Sequence, residues 1–293
     1  MMQTIIEKAS VLIEAMPYIQ AFRNEIVVIK FGGSAMEQRQ CYDSILTDTA
    51  FMGSVGLCPV VVHGGGKAIS RRMQAAGLQP NFRQGLRVTD AETIRLVEEV
   101  LNHEVNVEIV ETLVAHGAQA VGIQGPSILR AIRYMPRDSK TGEPVDLGFV
   151  GQVVKVQTET VRACLGSGMV PVITPLARDE NGQIYNINAD EAAAALARAL
   201  PARKLVFVSD VPGILRDPSN PQSVISSLGY KEVGDLIKSG VIAGGMLPKI
   251  QGALDALDAG VRKVHIVDGR LPHSLLLEIF TDKGIGTEII KND

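Results

Sequence analysis

The sequence lacks an excess of basic residues: 29 lysines and arginines stand against 32 aspartates and glutamates, which gives a net charge of −3 and a pI near 6.0. No run of lysine and arginine stands out, so nucleic acid and anionic membrane surfaces are poor candidates for partners. Cysteine is also scarce. The three cysteines, Cys41, Cys58 and Cys164, are odd in number and lack the spacing of a metal site, which favours a reducing, cytoplasmic compartment.

Long hydrophobic runs are absent as well. No uninterrupted apolar stretch approaches the ~18 residues that a membrane-spanning helix needs. Glu7 and Glu14 interrupt the apolar N-terminal segment and no basic leader precedes it, so we do not expect a secretory signal. Of the 293 residues, 46% are hydrophobic and only 21% are charged, which is enough for a sizeable core. This composition predicts one large or two modest globular domains.

Short apolar runs recur along the chain, and segments with helical periodicity separate most of them. We predict strands at residues 26–31, 58–63, 119–123, 169–174, 204–209 and 262–267. Strands that alternate with helices are typical of a mainly parallel sheet covered on both faces. The sequence therefore predicts an α/β fold.

Two helices have clear start signals. Residues 89–92 (TDAE) match a capping box and predict a long helix that runs to about His116 and stops at Gly117. Residues 188–191 (NADE) predict the start of an alanine-rich helix over 189–200, which Pro201 ends.

Two predicted hairpins interrupt this alternation. Residues 128–134 and 148–156 have the pattern of paired strands, and Asn181-Gly182 is a turn signal for a second pair. We expect such hairpins to form a lid or a rim over a site. No linker or low-complexity tract divides the chain, so a boundary near residue 180 is placed only from the symmetry of the layout.

The N-terminal segment has the pattern of an amphipathic helix. Residues 4–7 (TIIE) match another capping box. The apolar residues of this segment fall on one helical face, namely Ile5, Ile6, Ala9, Leu12, Ile13 and Met16. Pro17 should kink or end the helix. Periodicity does not distinguish a helix that folds back on its own domain from one that docks on a neighbouring subunit.

The first segment with a chemical signature is IVVIKFGGS, in which Lys30 ends an apolar strand and Gly32 and Gly33 follow at once. A second strand ends in the same way, in VVVHGGGKAI with glycines at 64–66. Glycine at a strand-to-helix turn lets the backbone approach a ligand, and the N–H groups there favour an anion. Tight turns also use glycine for steric reasons alone. Two such turns in succession, one beside a lysine, favour an anion site.

Two familiar phosphate-binding motifs are nevertheless excluded. The P-loop pattern GxxxxGK[ST] fails because Ala68 follows Lys67 and Val61 occupies the first glycine position. The dinucleotide pattern GxGxxG fails because Ile69 stands where its last glycine belongs. This argues against a nicotinamide-dependent dehydrogenase, which would share the α/β layout.

Cationic and amide side chains precede or open several predicted helices. Arg87 could hold a carboxylate with two parallel hydrogen bonds, although an ordinary surface arginine would look the same. Residues 186–190 (NINAD) bring two amides and Asp190 to a helix start, where Asn188 also serves as a cap. Lys249 falls in the first turn of a helix, against the helix dipole, and a bound phosphate would favour it there.

A third apolar strand ends in VSDVPGIL. It places Ser209, Asp210 and Gly213 beyond the carboxyl end of the strand, where open α/β sheets bind ligands.

These segments match a known family in content and order. They are Lys30-Phe31-Gly32-Gly33-Ser34, His63-Gly64-Gly65-Gly66, Gly85-Leu86-Arg87-Val88-Thr89, Asn186-x-Asn188-Ala189-Asp190, Ser209-Asp210-Val211-Pro212-Gly213 and Gly245-Met246-x-Pro248-Lys249. The sequence resembles the amino acid kinase family, and within it the acetylglutamate kinases, over roughly residues 24–293. The resemblance implies an open three-layer αβα sandwich with a mainly parallel central sheet. It also implies an acetylglutamate-binding lobe at 24–180 and an ATP-binding lobe at 181–293.

The resemblance further implies the reaction: transfer of the γ-phosphoryl group of ATP, with Mg²⁺, to the side-chain carboxylate of N-acetyl-L-glutamate, the second step of arginine biosynthesis. It implies catalytic roles for Lys30, Lys249 and Asp190, with no protein metal ligands. Substrate binding is implied for Gly65, Gly66, Arg87 and Asn186, and nucleotide binding for Gly32, Gly33, Ser209, Asp210 and Gly213.

The N- and C-terminal segments resemble those of members that arginine inhibits. By this resemblance residues 1–23 form an oligomerisation helix that joins dimers into a hexamer. His273, Glu278 and Gly286 would belong to the arginine site. Some such enzymes also bind the PII signalling protein.

Two other functions remain open. Kinases of acetylaminoadipate, one methylene longer, share much of the pattern, and one methylene is worth only ~1–3 kcal/mol in a pocket. A non-catalytic arginine- or ATP-binding regulator would be expected to lack Lys30, Asp190 or Lys249, and all three are present.

Overall fold

An eight-stranded sheet forms the centre of the molecule, in a computed structural model that describes residues 2–138, 141–217, 219–281 and 284–291. The strands are β1 (Ile26–Phe31), β2 (Cys58–His63), β3 (Phe82–Arg83), β4 (Leu86–Arg87), β5 (Ala120–Ile123), β6 (Leu129–Arg133), β7 (Val150–Val156), β8 (Val170–Ile173), β9 (Leu176–Arg178), β10 (Ile184–Ile187), β11 (Lys204–Ser209), β12 (Ser227–Gly229), β13 (Lys263–Asp268) and β14 (Thr287–Ile290). The helices are α1 (Met2–Phe22), α2 (Arg39–Ser54), α3 (Gly66–Ala75), α4 (Ala91–Glu99), α5 (Asn106–Ala115), α6 (Gly125–Ile128), α7 (Glu159–Gly166), α8 (Ala189–Ala199), α9 (Tyr230–Lys238), α10 (Met246–Asp258) and α11 (Ser274–Ile279).

The strand order in the large sheet is β12-β14-β13-β11-β1-β2-β8-β5. All neighbours are parallel except β13 and β14. The six predicted strands are confirmed as β1, β2, β5, β8, β11 and β13, each to within one residue at either end. The mainly parallel sheet of the predicted fold class is therefore confirmed.

Alternate residues of the central strands face two separate hydrophobic layers. On β1, Val27, Ile29 and Phe31 contact one cluster, to which α2, α4, α5 and α11 contribute. Val28 faces the other cluster, which contains the buried faces of α8 and α10. Helices thus cover both faces of the sheet, as an αβα sandwich requires. The division into lobes at residue 180 stays a prediction, since the sheet runs without a break through both halves of the chain.

Both predicted hairpins are confirmed, and together they form a small closed barrel with the order β10-β7-β6-β9. The strands β6 and β7 are antiparallel, as are β9 and β10. This barrel carries Asn186 on β10, directly before the start of α8. A two-stranded hairpin of β3 and β4 carries Arg87.

Two local predictions were wrong. The helix α1 starts at Met2, before the predicted capping box, and continues past Pro17 to Phe22. Packing accounts for the continuation, because Phe22 is buried at the helix end and lies under the cations of Arg203 and Lys204. The cap of α4 is Asp90, which accepts a hydrogen bond from the Thr93 N–H, and not Thr89.

The long helix predicted up to His116 is confirmed, with His116 as its C-cap and Gly117 after it. A π-helical turn over Val100–Val105 interrupts it, between α4 and α5. Within the described part of the chain, no helix has both the length and the apolar character that crossing a membrane would require.

Candidate active site

Two lysines and one aspartate meet at the carboxyl edge of the sheet. Lys30 Nζ lies 3.0 Å from Asp190 Oδ1, and Lys249 Nζ donates to Asp190 Oδ2 at 2.7 Å. The three side chains are only 9–13% exposed. The three residues predicted to be catalytic are therefore in direct contact, although they lie far apart in sequence.

The end of a strand or the first turn of a helix positions each of these three side chains. Lys30 is at the end of β1, where the parallel strand leaves the sheet. Asp190 is in the first turn of α8, which Asn188 caps by accepting from the N–H groups of Asp190 and Glu191. Lys249 is in the first turn of α10, and its ammonium lies 5.0 Å from the centre of the Phe207 ring.

The cluster contains two cationic side chains and one anionic side chain. Burial alone would raise the pKa of Asp190, but Lys30 and Lys249 outweigh burial and lower this pKa to about 2. Burial also lowers the pKa of Lys249, against the opposing effect of Asp190. Two ammonium groups share one carboxylate, so the cluster is suited to an additional anion such as a phosphate.

The two glycine turns lie side by side next to this cluster. In the parallel register Phe31 pairs with His63, so Gly32 and Gly64 follow at the same level. A Cβ on Gly32 would lie 3.2 Å from Lys30 Nζ and 3.4 Å from Gly64 Cα. A side chain at this position would crowd the Lys30 ammonium and Gly64, which supports the interpretation of a backbone surface kept open for a ligand.

Arg87 lies next to the second glycine turn and is buried. Its Nη2 donates to Gly66 O at 2.6 Å and to Ser70 Oγ at 2.8 Å, and its guanidinium lies 4.7 Å from the Phe82 ring centre. Among the described residues it has no carboxylate partner in an ion pair. Burial lowers the pKa of Arg87. The guanidinium charge is therefore buried without a carboxylate of the described residues to neutralise it. A ligand carboxylate would supply the missing charge.

Two cavities meet at the glycine turn. One, of about 160 Å³, is lined by all four predicted substrate residues, namely Gly65, Gly66, Arg87 and Asn186. The other, of about 380 Å³, extends from the same glycines to Lys30 and Gly33. The Asn186 amide donates to Thr89 Oγ1 at 3.3 Å, which ties the barrel to the segment after Arg87. All four predicted substrate residues therefore share one cavity wall, adjacent to the lysines.

The predicted nucleotide residues are distributed along the next strand. Ser209 ends β11, which pairs with β1 so that Phe207 is opposite Lys30, and Asp210 is exposed just beyond it. Gly213 has φ +142° and packs against β14, where a Cβ would lie 2.6 Å from Thr287 Oγ1. Ser209 and Asp210 therefore continue the same edge of the sheet as the lysines, whereas tight packing explains Gly213.

A separate cavity of about 600 Å³ lies between the end of α1 and the C-terminal strands. Its lining includes Tyr18, Phe22, Lys204, His265, Glu278 and Glu288. The Glu278 carboxylate is 2.6 Å from His265 Nδ1 and accepts the N–H groups of Ile285 and Gly286 at 2.7 and 3.0 Å. Two of the three residues predicted for an arginine site, Glu278 and Gly286, are thus neighbours.

The third, His273, lies elsewhere. Its Nδ1 is 2.6 Å from the buried carboxylate of Asp48 on α2, and its N–H donates to Ser44 Oγ. The histidine beside Glu278 is His265, which the sequence interpretation missed. Its signal was a polar residue in the middle of the apolar strand KVHIV.

Other residues of the site were also missed. Phe82, which is 54% exposed, lines both cavities at the glycine turn and covers Arg87. No group of three or more His, Cys, Asp or Glu side chains in the described ranges is arranged to hold a metal ion.

Comparisons with known proteins agree with this geometry. Residues 25–268 match the model of the amino acid kinase family. The chain is 48% identical to the acetylglutamate kinase of Akkermansia muciniphila, over 98% of this chain and 97% of the relative. It is also 48% identical to that of Symbiobacterium thermophilum, over 99% of both chains.

Solved structures show the same fold. The N-acetylglutamate synthase of Neisseria gonorrhoeae, solved with coenzyme A and N-acetyl-glutamate, superposes with a TM-score of 0.85 at 28% identity. The similarity covers 97% of this chain and spans 64% of the synthase chain. An isopentenyl phosphate kinase at 20% identity and a TM-score of 0.63 shares the fold alone. With its lysine–aspartate–lysine cluster, its paired glycine turns and these relatives, the chain belongs to the amino acid kinase family.

Proposed function

We propose that this protein transfers the γ-phosphoryl group of ATP to the side-chain carboxylate of N-acetyl-L-glutamate, a step of arginine biosynthesis. The observation that carries the proposal is the buried cluster of Lys30, Asp190 and Lys249, which lies beside a cavity that holds an unpaired arginine. One part of the site suits phosphate and the other suits a carboxylate. The acetylglutamate kinases that match over the full length support the choice of acceptor.

The proposed chemistry does not need a general base. The attacking group is a carboxylate, which is ionised near neutral pH. The only histidine next to the glycine turn, His63, is unsuited to proton transfer, because burial lowers its pKa to about 4. The barrier arises from the approach of two anions and from charge that develops on the transferred group. Fixed positive charge and backbone N–H groups lower that barrier because they stabilise the negative charge.

Each part of the site has a distinct task in this reaction. The Arg87 guanidinium binds the α-carboxylate of the acceptor and orients its side chain toward the glycine turn. Lys30 and Lys249 contact the phosphoryl oxygens, and Asp190 holds the two ammonium groups at a fixed distance. Ser209 and Asp210 lie where the nucleotide of MgATP would extend along the edge of the sheet.

Acyl-phosphate trapping with hydroxylamine tests the proposal. The protein is incubated with MgATP and, in parallel samples, with N-acetyl-L-glutamate, glutamate, aspartate or N-acetyl-aminoadipate. We expect a hydroxamate signal with N-acetyl-L-glutamate and much less with the others. A stronger signal with acetylaminoadipate would keep the phosphoryl chemistry and overturn the acceptor. Silence in every sample, from folded protein that binds ATP, would favour a regulatory protein.

We also propose that arginine inhibits the enzyme by binding in the cavity next to α1. The cavity combines carboxylates, Glu278 and Glu288, with the cation of Lys204, so it offers partners to both ends of an amino acid with a guanidinium. Burial lowers the pKa of Lys204 to about 8, and no ion pair among the described residues involves it. A synthase structure in complex with L-arginine, 27% identical to this chain, supports the proposal.

Inhibition curves test this second proposal. We expect arginine to inhibit the wild-type enzyme, and Glu278→Gln to raise the inhibitory concentration by ~10–100-fold, since one charged hydrogen bond is worth ~1.5–3 kcal/mol. The exposed capping residue Glu232 provides the control Glu232→Gln, which should leave inhibition unchanged. A wild-type enzyme that arginine does not inhibit would contradict the proposal.

A further inference from the structure

His63 directly precedes the second glycine turn, and no hydrogen bond among the described residues joins it to Lys30 or Lys249. It is the last residue of β2 and is fully buried. Its Nδ1 is 2.8 Å from Gly64 O, and its Nε2 is 3.1 Å from the side-chain nitrogen of Asn106. Both ring nitrogens therefore have a partner, and the two partners together determine where the ring proton lies.

The contacts of Asn106 fix the proton on Nδ1. The same Asn106 nitrogen donates to Val172 O at 2.9 Å, and a carbonyl oxygen only accepts, so this atom is the amide nitrogen. His63 Nε2 must then accept a hydrogen bond from Asn106. Because burial lowers the pKa of His63 to about 4, the neutral ring carries a single proton, on Nδ1. The ring therefore donates this proton to Gly64 O.

This hydrogen bond sets the direction of one peptide group. The described chain contains no cis peptide bond, and in a planar trans peptide the C=O and the following N–H point in opposite directions. When His63 Nδ1 donates a hydrogen bond to Gly64 O, the Gly65 N–H points away from the histidine. This N–H has no acceptor among the described residues, and Gly65 lines both cavities at the turn. An anionic oxygen in either cavity would be its partner.

Tight packing fixes the positions of His63 and Asn106. Asn106 is the first residue after the π-helical turn, which also places Leu101 over the turn, where a Cβ on Gly65 would lie 2.4 Å from Leu101 Cδ2. On the other side, a Cβ on Gly122 would lie 2.1 Å from Asn106 Oδ1. The π turn thus accounts for the position of the amide that orients His63, and π turns are frequent at functional sites.

We infer that His63, oriented by Asn106, is a positioning residue that directs the Gly65 N–H at an oxygen of the acceptor carboxylate or of the transferred phosphoryl group. The inference rests on the proposed kinase activity for its catalytic consequence. Its structural content, the proton on Nδ1 and the direction of the peptide, does not depend on which acceptor is used.

Two variants separate this role from simple packing. Asparagine at position 63 keeps an N–H donor near the place of Nδ1, whereas leucine fills the space without a donor. We expect His63→Leu to lower kcat by ~10²–10³, the usual effect of losing one such backbone donor, with little change in the KM of MgATP, and His63→Asn to recover most of the loss. The exposed His116 provides the control His116→Asn, which should keep wild-type kcat. A folded His63→Leu enzyme with unchanged kcat, or equal losses in both His63 variants, would overturn the inference.

A spectroscopic test on the wild-type protein covers the case in which His63→Leu does not fold. With ¹⁵N-labelled histidine, NMR of the wild type should show a neutral ring protonated at Nδ1 from pH 5.5 to pH 9 that is missing from His63→Asn, whereas His265, whose Nδ1 lies 2.6 Å from the Glu278 carboxylate, should give its signal in both proteins. A proton on Nε2, or titration within that range, would overturn the inference. Because this readout needs no substrate, it is separate from a failure of the proposed activity.

Discussion

At the scale of single residues, the cluster around Asp190 combines burial with unbalanced charge. Removing two ammonium groups and a carboxylate from water carries a large desolvation cost, and well-packed apolar residues in place of buried ion pairs are often more stable. Lys249 is 7% exposed and Asp190 holds both cations. An arrangement of this kind is better explained by an anionic ligand than by stability.

Replacement of Lys249 tests the proposal that its ammonium group contributes to catalysis. We expect Lys249→Met to lower kcat by ~10²–10³ while the KM of N-acetyl-L-glutamate changes little, because the ammonium acts on charge that develops during transfer. Lys238→Met removes an exposed lysine of α9 and should have no effect. Steady-state kinetics on purified variants give both constants. Near-normal turnover in Lys249→Met would refute the assignment.

Replacement of Arg87 should give the opposite kinetic pattern. Arg87→Lys keeps the charge but loses the planar fork, so we expect the KM of N-acetyl-L-glutamate to rise by ~10–100-fold, with a smaller effect on kcat. Arg72→Lys, which alters an exposed ion pair with Glu99, is the matched control. An unchanged KM in Arg87→Lys would remove Arg87 from the acceptor site.

At the scale of elements, the first turn of α8 joins the cluster of Lys30, Asp190 and Lys249 to the barrel. Asp190 faces the lysines, and the next residue, Glu191, accepts the Val153 N–H at 2.7 Å. A register shift between β6 and β7 lies at this point, because Arg130 pairs with Lys155 but Ala131 pairs with Val153. The carboxylate thus binds the N–H group next to an irregularity of the strand.

The burial of the Glu191 carboxylate predicts that the stability of the protein depends on pH. Burial raises the pKa of Glu191 to about 7, with the Val153 N–H acting in the opposite direction, and Arg198 and Asp255 are the charges nearby. Between pH 4.5 and 7 the native state binds more protons than the unfolded state, so Glu191 destabilises the protein increasingly as pH rises. Glu191→Gln lacks this effect.

We therefore expect the unfolding free energy of Glu191→Gln, relative to wild type, to increase by roughly 1–3 kcal/mol between pH 5 and pH 8. Urea unfolding at both pH values measures this difference. Glu232→Gln, whose carboxylate also accepts a backbone N–H but is exposed, should show no such change. A difference that is independent of pH would contradict the assigned burial effect.

The elements also show how far sequence reasoning reached. The strands of the large sheet were predictable because short apolar runs rich in β-branched residues, such as IVVI and PVVV, favour buried strands. The cluster of Lys30, Asp190 and Lys249 was reached only through family motifs, since spacing in sequence does not tell which strand ends meet. The start of α8 at Asn188 followed from capping chemistry alone.

Other features of the structure could not be predicted from the local sequence. The π turn over Val100–Val105 places Leu101 against Gly65, and nothing in the periodicity of α4 marks it. The passage of α1 through Pro17 depends on the burial of Phe22, a tertiary contact. The contact of His265 with Glu278 also left no sign in the sequence, because it joins a strand to a helix.

At the scale of the whole molecule, α1 presents apolar side chains to solvent. Ile6, Val11, Ile13 and Met16 are each at least 47% exposed. A surface of this kind, on a helix anchored at its end by Phe22, is suited to a second copy of the chain. The predicted hexamer of interlaced dimers rests on this helix.

Removal of residues 1–22 should therefore leave dimers. Light scattering of the wild type and the truncated protein at equal concentration measures the assembly. The double variant Ile6→Glu/Ile13→Glu should have the same effect without truncation, because two charges would be buried at the contact, whereas Glu14→Gln should not. A hexamer that survives both changes would refute the role of α1.

The central position of β1 has a consequence for synthesis of the chain. Val27 pairs with Lys204, so one edge of β1 stays open until β11 has left the ribosome. At 5–20 residues per second this delay is on the order of ten seconds or more. During that time an apolar strand offers unpaired backbone groups to other nascent chains. Lys30 is the only charge in β1, and a charge near the end of an apolar strand disfavours pairing with other chains.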